Sequence, residues 1–468
     1  MLRRLFSISV DRVPYLSRAS YVRELRTAAT YPVAVALTEG AFASVVAQKY
    51  FGASALLASI IVAAPMFGNI AALVWSDLAR GKRRIAFANR LQIAEISCVF
   101  SVALTYLLPK SAGAWLFAAL IVGARVIASG IVTIRSVVWR SNYPQARRAQ
   151  IVSRIVVNST LAVALAGAIG SALVEKYNWL YVIVYAVAGV LAIIGMRQFG
   201  RIRIRGEGRL IRSEIDARRD EADSGRQIGP IRRFANLFVD AHHLLRDDPQ
   251  FRAYQRWQMF TGSSFLMMLP CLYTMVNKEL TDPNRDYFLA TTIVSTMPTI
   301  TQMAFTRVWA PLFDRIRFAN FRFLNGLVAL VTHMLVAAGA LTGQLWVVAL
   351  ATFVLGVSQA AGSLAWNLGQ NAFAPPNQVQ RYMGVHVMLT GLRGCFAPFI
   401  GTLIYAGLAT YGQQRWMFFL PMFACAIGVL GFLQMTRGEA ARNREIEPPV
   451  PEPADIEPDE AMDAASRV

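Results

Sequence analysis

A chain of 468 residues that is 55% hydrophobic and only 16% charged departs from soluble globular proteins, in which about a quarter of residues carry charge. Its net charge of +19 would suit nucleic acid, but the arginines lie between apolar runs and not on one soluble face, so the excess reads as orientation in a bilayer. The four cysteines, Cys98, Cys271, Cys395 and Cys425, all fall inside apolar runs without CxxC pairing, which argues against a disulfide frame or a thiolate metal site.

Residues 1–28 form a basic tail with Arg3, Arg4, Arg12, Arg18, Arg23 and Arg26. Its apolar stretch is cut by Asp11 and Arg12, too soon for a cleaved signal, so the first span acts as its own insertion signal. A spanning helix needs about 20 mostly apolar residues. That ruler gives twelve spans, centred on 29–48, 53–75, 86–108, 113–135, 151–173, 178–197, 257–277, 287–309, 319–341, 344–367, 383–407 and 414–435. The expected fold is an all-α polytopic membrane protein, with one six-helix set over 29–197 and a second over 257–436.

Loops kept in the cytoplasm are rich in Lys and Arg. Arg80, Lys82, Arg83, Arg84 and Arg90 follow span two, Arg140, Arg147, Arg148 and Arg154 follow span four, and Arg315, Arg317 and Arg322 follow span eight. The alternate loops carry only Lys49, Lys110, Lys176, Lys278 with Arg285, and Arg415. Even-numbered loops and both termini are therefore expected in the cytoplasm, the membrane being a bacterial inner membrane. The central segment, 198–256, includes Ile231, Phe234, Leu237, Phe238, Ala241, Leu244 and Leu245 at helical spacing behind Pro230. This predicts an amphipathic helix at the membrane surface. Residues 437–468, acidic and proline-rich, cannot bury a core and are expected to be disordered.

Six spans plus six suggest an internal duplication. Trp75-Ser-Asp77-Leu-Ala-Arg80-Gly81-Lys82-Arg83-Arg84 after span two has a counterpart in Trp309-Ala-Pro-Leu-Phe-Asp314-Arg315 after span eight. Asp77 and Asp314 are 237 residues apart, and Gly170 and Gly401, in spans five and eleven, are 231 apart. With these residues the chain resembles the major facilitator superfamily of secondary transporters over nearly its whole length. The family's loop signature after span two is matched by Asp77, Gly81, Lys82, Arg83 and Arg84, although Leu73 stands where the family has its leading glycine. The small-residue run Gly-Ala-Arg125-Val-Ile-Ala-Ser-Gly130 is similar to the family's span-four arginine motif. The resemblance implies two pseudo-symmetric six-helix bundles, with spans one, four, seven and ten around a central cavity. It also implies a gate on the cytoplasmic side, carried here by Asp77, Arg80, Lys82, Arg83, Asp314 and Arg315.

Few charges lie within spans. Glu39, Arg125 and Arg393 each sit ten to twelve residues into their spans, roughly 15–18 Å deep at about 1.5 Å per residue. A midplane charge costs at least about 2.5–3.5 kcal/mol, so it needs a partner, a wet cavity or a functional reason. Glu39 and Arg125 are expected to couple protons, since the arginine and burial push the carboxylate's proton affinity in opposite directions. The alternative is a permanent Glu39–Arg125 bridge that pins two helices. Arg393, flanked by Gly391 and Gly394, either grips a substrate anion in two-point fashion, or caps backbone carbonyls freed by Pro398 or pairs with Glu39 across the halves. Glu95 is a poorer proton carrier, with Arg90 or a neighbouring helix as partner, and His386 sits near the cytoplasmic rim. Arg125, Arg393, Asn158, Gln258, Gln359 and Trp366 are the expected substrate contacts.

The function expected is secondary active transport of a small organic solute, favoured as anionic, by alternating access and with proton coupling. Proton-driven export of lipophilic compounds is one alternative, and a transport-inactive sensor or scaffold is another. No His-Glu-x-x-His, paired-aspartate or Gly-x-Ser-x-Gly motif occurs, so no enzyme, metal or cofactor is expected. The expected partners are lipid, the solute and protons, with no nucleic acid.

Overall fold

The structure, a computed structural model, describes residues 13–223, 230–283, 285–375 and 379–446, and these residues fold as helices joined by short turns. Helices are what a chain must form where lipid offers no hydrogen bonds to the backbone. Among the described residues, ten helices are long and apolar enough to cross a membrane, and a bent pair over residues 15–49 makes an eleventh. The twelfth, span eight, is helical through Tyr287–Thr291, a π-helical turn at Thr292–Thr296, and Met297–Arg315. Its threonines make it more polar than the others.

Span one differs most from expectation. It starts at Tyr15, inside the stretch expected to be a tail, and is built from Tyr15–Thr30, Pro32–Thr38 and Gly40–Lys49. Pro32 takes the first position of the second piece, where its missing N–H costs nothing. Glu39 then adopts an extended conformation, φ −85° and ψ 144°, between the second and third pieces. The segments on either side meet at 45°. Elsewhere the ends follow local chemistry. Ser54 caps span two, Ala55–Ala79, by accepting from the Leu57 N–H. Asp248 caps span seven by accepting from the N–H groups of Gln250 and Phe251 at 3.0 and 2.9 Å. Gly343, at φ +68°, closes span nine, Phe318–Thr342, in the left-handed region.

The helices pack as two six-helix bundles. In the first, span two lies against span four (Lys110–Asn142), span three (Arg84–Leu107) against spans four and six (Tyr181–Phe199), and span one against spans five (Gln145–Lys176) and six. In the second, span seven (Pro249–Leu280) packs on span eleven (Val379–Ala409) and on span twelve, which runs over Phe419–Ile446. Spans eight and nine flank span ten, Leu345–Leu368. The bundles meet where span two faces span eleven and span five faces span eight. Small residues permit this approach, since Gly391 and Gly394 lie against Ile70 and Met66 of span two.

The central segment holds two helices, Glu207–Asp223 and Pro230–Asp247. The first is fastened to the loop after span two. Glu214 accepts from the Gly81 N–H at 2.8 Å and pairs with the Arg84 guanidinium, while Glu207 accepts from the Arg84 N–H at 2.8 Å. The second matches the expected amphipathic helix in position, with Ala241 and Leu244 buried against Phe251, Tyr254 and Tyr382. Span twelve continues ten residues past the expected boundary at 436, to Ile446. Arg3, Arg4 and Arg12, and the tail from 447 on, lie outside the described residues.

Candidate functional site

The break in span one sets the site. With Glu39 extended, its side chain leaves the helical face and stands half exposed, at 52%, while Arg125 of span four brings Nη2 to 3.9 Å from Oε1. The charge of Glu39 also acts on Tyr273 of span seven, in the other bundle. The expected acid and base of the midplane are thus brought together. Glu95 is also placed here. It is buried on span three, and the hydroxyl of Tyr31 on span one donates to its Oε2. The neighbouring-helix partner foreseen for it is therefore a tyrosine.

Arg393 turns inward, toward span seven. Its Nη1 donates to the Gln258 carbonyl at 2.9 Å. The guanidinium fills the space beside Gly262 that a Cβ there would need. Gln258 is shared, because its side-chain oxygen accepts from Arg322, which also reaches the Thr261 hydroxyl at 3.5 Å and lies 4.7 Å over the Phe432 ring. In the sequence Arg322 stands among the loop charges after span eight. The helix start at Phe318 carries it inside the bundle, where it is 5% exposed. His386 is fully buried, with Nδ1 at 3.2 Å from Gln255 and its ring 6.0 Å from both Tyr254 and Trp366. Gln258, Arg393 and Trp366, with His386, therefore gather in the second bundle. Asn158 bonds back to the Arg154 carbonyl at 2.8 Å, and Gln359 is half-buried on span ten.

The expected gate residues occupy the side of the arginine-rich loops. Asp77 lies 3.9 Å from Arg80 one turn on, and Lys82 sits 5.2 Å over the Phe87 ring. Asp314 and Arg315 end span eight, both exposed. On the opposite side the two bundles are stitched together, which sequence reasoning missed. Gln48 donates to the Thr274 hydroxyl at 2.6 Å and accepts from Asn277 at 2.8 Å. Lys49 donates to the Thr281 hydroxyl and the Asp282 carbonyl at 2.9 and 2.6 Å, and Lys278 to the Ala53 carbonyl at 2.6 Å. Glu175 accepts from the Phe288 N–H at 2.7 Å. Each contact joins the first bundle to the second.

Also missed was Glu24, placed by the early start of span one. It is fully buried, accepts from Trp139 at 2.5 Å and Tyr143 at 2.8 Å, and lies 3.6 Å from Arg135. Burial, and then the Glu24 charge, push the Tyr143 phenol well above its ordinary range. A small apolar cavity of about 130 Å³ opens between spans five and eight, lined by Thr160, Leu161, Thr296 and Ile300 among others, away from the charged groups. Among the described residues no cluster of His, Cys, Asp or Glu is placed to hold a metal.

Comparison with known proteins places this arrangement. The sequence model described as the Major Facilitator Superfamily matches residues 29–398. Among solved structures, a D-xylose–proton symporter superposes with a TM-score of 0.65 at 12% identity, covering 89% of this chain and 96% of its own. A POT family transporter in complex with a thioalcohol-conjugated peptide gives 0.65 at 13% identity, covering 92% and 99%. The nucleoside transporter NupG gives 0.61 at 10% identity, covering 89% and 99%. No curated protein sequence matches the chain.

Proposed function

The chain belongs to the Major Facilitator Superfamily, and from that premise we propose that it is a secondary transporter that moves a small organic solute by alternating access, driven by protons. The observation that carries this reading is the Glu39–Arg125 pair at the break of span one, in a protein whose two bundles are joined by named bonds on the side opposite the arginine-rich loops. Alternating access needs a site between two bundles that rock about it, and a set of contacts that form in one state and break in the other. Gln48, Lys49 and Lys278 supply such contacts on the side opposite the arginine-rich loops. With the arginine-rich loops and both termini in the cytoplasm of a bacterial inner membrane, this state is closed to the outside.

Glu39 does the coupling. While ionised it holds Arg125, and a proton arriving at its exposed face neutralises it and frees the guanidinium. That change in charge is what a bundle rotation can be linked to. The gate assigned to Asp77, Arg80, Lys82, Arg83, Asp314 and Arg315 lies at the opposite mouth. There, Asp77 at the end of span two lies 3.9 Å from Arg80, a pair that can exchange partners.

An anionic solute is favoured. Residues 315–438 contain no Asp or Glu, yet the same stretch buries Arg322 and Arg393 in the second bundle. The positive field of those groups lies across from Glu39 and Arg125. Arg393, Arg125, Gln258, Trp366, Asn158 and Gln359 are the contacts proposed for the solute. Protein reconstituted into liposomes and given an inward proton gradient tests the reading with labelled organic anions beside lipophilic cations. Gradient-driven accumulation of an anion supports it, and extrusion of the cations alone replaces it with the exporter reading.

A further inference from the structure

Glu95 has no part in the transport step described so far. It is 1% exposed on span three, with Oε2 accepting from Tyr31, while its buried Oε1 has no hydrogen-bond partner. Arg125 is paired with Glu39 through Nη2, and its own buried Nε is equally unpartnered. The charge of Arg125 acts on Glu95 as well. The groups around Glu95 are few. Gln92 and Cys98 lie one turn away on its own helix, Tyr31 faces it from span one, and Arg125 from span four. Arg135, further along span four, acts on Tyr31. Span six packs against span three with Gly189 on Phe100, and its Tyr185 hydroxyl donates to the Leu37 carbonyl.

The guanidinium paired with Glu39 thus belongs to the helix that packs on the helix of Glu95, and of the two carboxylates only that of Glu39 is exposed. An ionised Glu95 would add a buried charge on an oxygen without a hydrogen-bond partner while Arg125 is already paired with Glu39, which a low-dielectric interior penalises. We propose that Glu39, Arg125 and Glu95 form one site that holds a single exchangeable proton, with Glu95 as its inner reservoir. In the state seen, Glu39 is ionised against Arg125 and the proton sits on the open Oε1 of Glu95. In the alternate state Glu39 carries the proton and Arg125 has swung to the Glu95 carboxylate. One proton leaves Glu95 and one reaches Glu39, the three groups sum to zero charge in both states, and no other bond changes. Tyr31 holds Glu95 Oε2 so that Oε1 remains the site of exchange. The inference rests on the proton coupling proposed above and extends it to a second carboxylate.

Infrared titration of the full protein in lipid, read at the C=O band of a protonated carboxylic acid, tests this without substrate or gradient. The wild type should show the band at neutral pH, and Glu95→Gln should remove it. Glu39→Gln should lower the pH at which the band disappears, because the freed Arg125 turns to Glu95 and favours its charged form, an effect of about ten-fold or more in proton affinity. Tyr31→Phe should keep the band and move its midpoint. A band that survives Glu95→Gln, or a midpoint that Glu39→Gln leaves unchanged, overturns the proposal. Either failure leaves transport through Glu39 alone standing. An intact exchange in a protein that gives no gradient-driven transport would instead overturn the function.

Discussion

The guanidinium of Arg393, on span eleven, occupies the space at Gly262 of span seven that any other residue's Cβ would claim. The two helices approach at this depth because span seven has no side chain there, and the arginine then reaches the Gln258 carbonyl at 2.9 Å. Gly262→Ala should overpack the contact and lower the melting temperature in detergent, in line with the roughly 1–3 kcal/mol that such insertions cost. Combining it with Arg393→Ala should recover part of that loss, because the two residues share one space. Additive losses in the double variant would show that the contact is absent in solution.

The seal opposite the arginine-rich loops predicts a shift in conformational balance. Lys49→Met removes two charge-assisted hydrogen bonds, to Thr281 and Asp282, each worth about 1.5–3 kcal/mol. Much of this is regained from water in the opened state, so a shift of ten-fold or more toward the open form is expected. Electron-spin distance measurements between labels at the ends of spans one and seven beside this seal would read it. An unchanged distance distribution would mean that these bonds do not set the balance.

How much of this was legible in the sequence depends on where a partner lies. The spans could be read because lipid imposes about 20 apolar residues on each of them. Glu39 and Arg125 could be read because a lone charge inside such a run stands out. Arg322 could not, since it stands only four positions after the helix start at Phe318 and, in sequence, it continues a run of loop arginines. Glu24 was lost in the same way. A carboxylate among six arginines reads as tail, and only Trp139, Tyr143 and Arg135, more than a hundred residues on, make its burial tolerable. The seal was silent because Gln48, Thr274 and Asn277 are ordinary polar residues at span ends, and their pairing exists only once two bundles dock.

The linker helix makes its own prediction. Glu214 accepts from the Gly81 N–H and pairs with Arg84, of which only 7% of the side chain is exposed. Glu214→Ala should release the loop after span two. Amide exchange at Gly81 and Arg84 should then quicken, while the Tyr31–Glu95 and Glu24 clusters, held by other bonds, keep their protection. Equal exchange in both proteins would mean that the clamp does not persist in lipid.

A buried network of this kind also predicts unequal costs among the acids of the first bundle. Glu24→Ala strands Arg135 with no compensating charge and leaves Trp139 and Tyr143 without an acceptor. It should cost about 3–5 kcal/mol, seen as poor yield and a lower melting temperature. Glu39→Gln removes a half-exposed carboxylate and should change the melting temperature little.

That last variant also decides the central claim. In proteoliposomes, Glu39→Gln should still exchange labelled solute for unlabelled solute at equal pH on both sides, because the bundles can still rock. It should lose accumulation driven by a pH gradient, because nothing at the break of span one then takes up or releases the proton. Accumulation equal to that of the wild type under the same gradient would contradict the account.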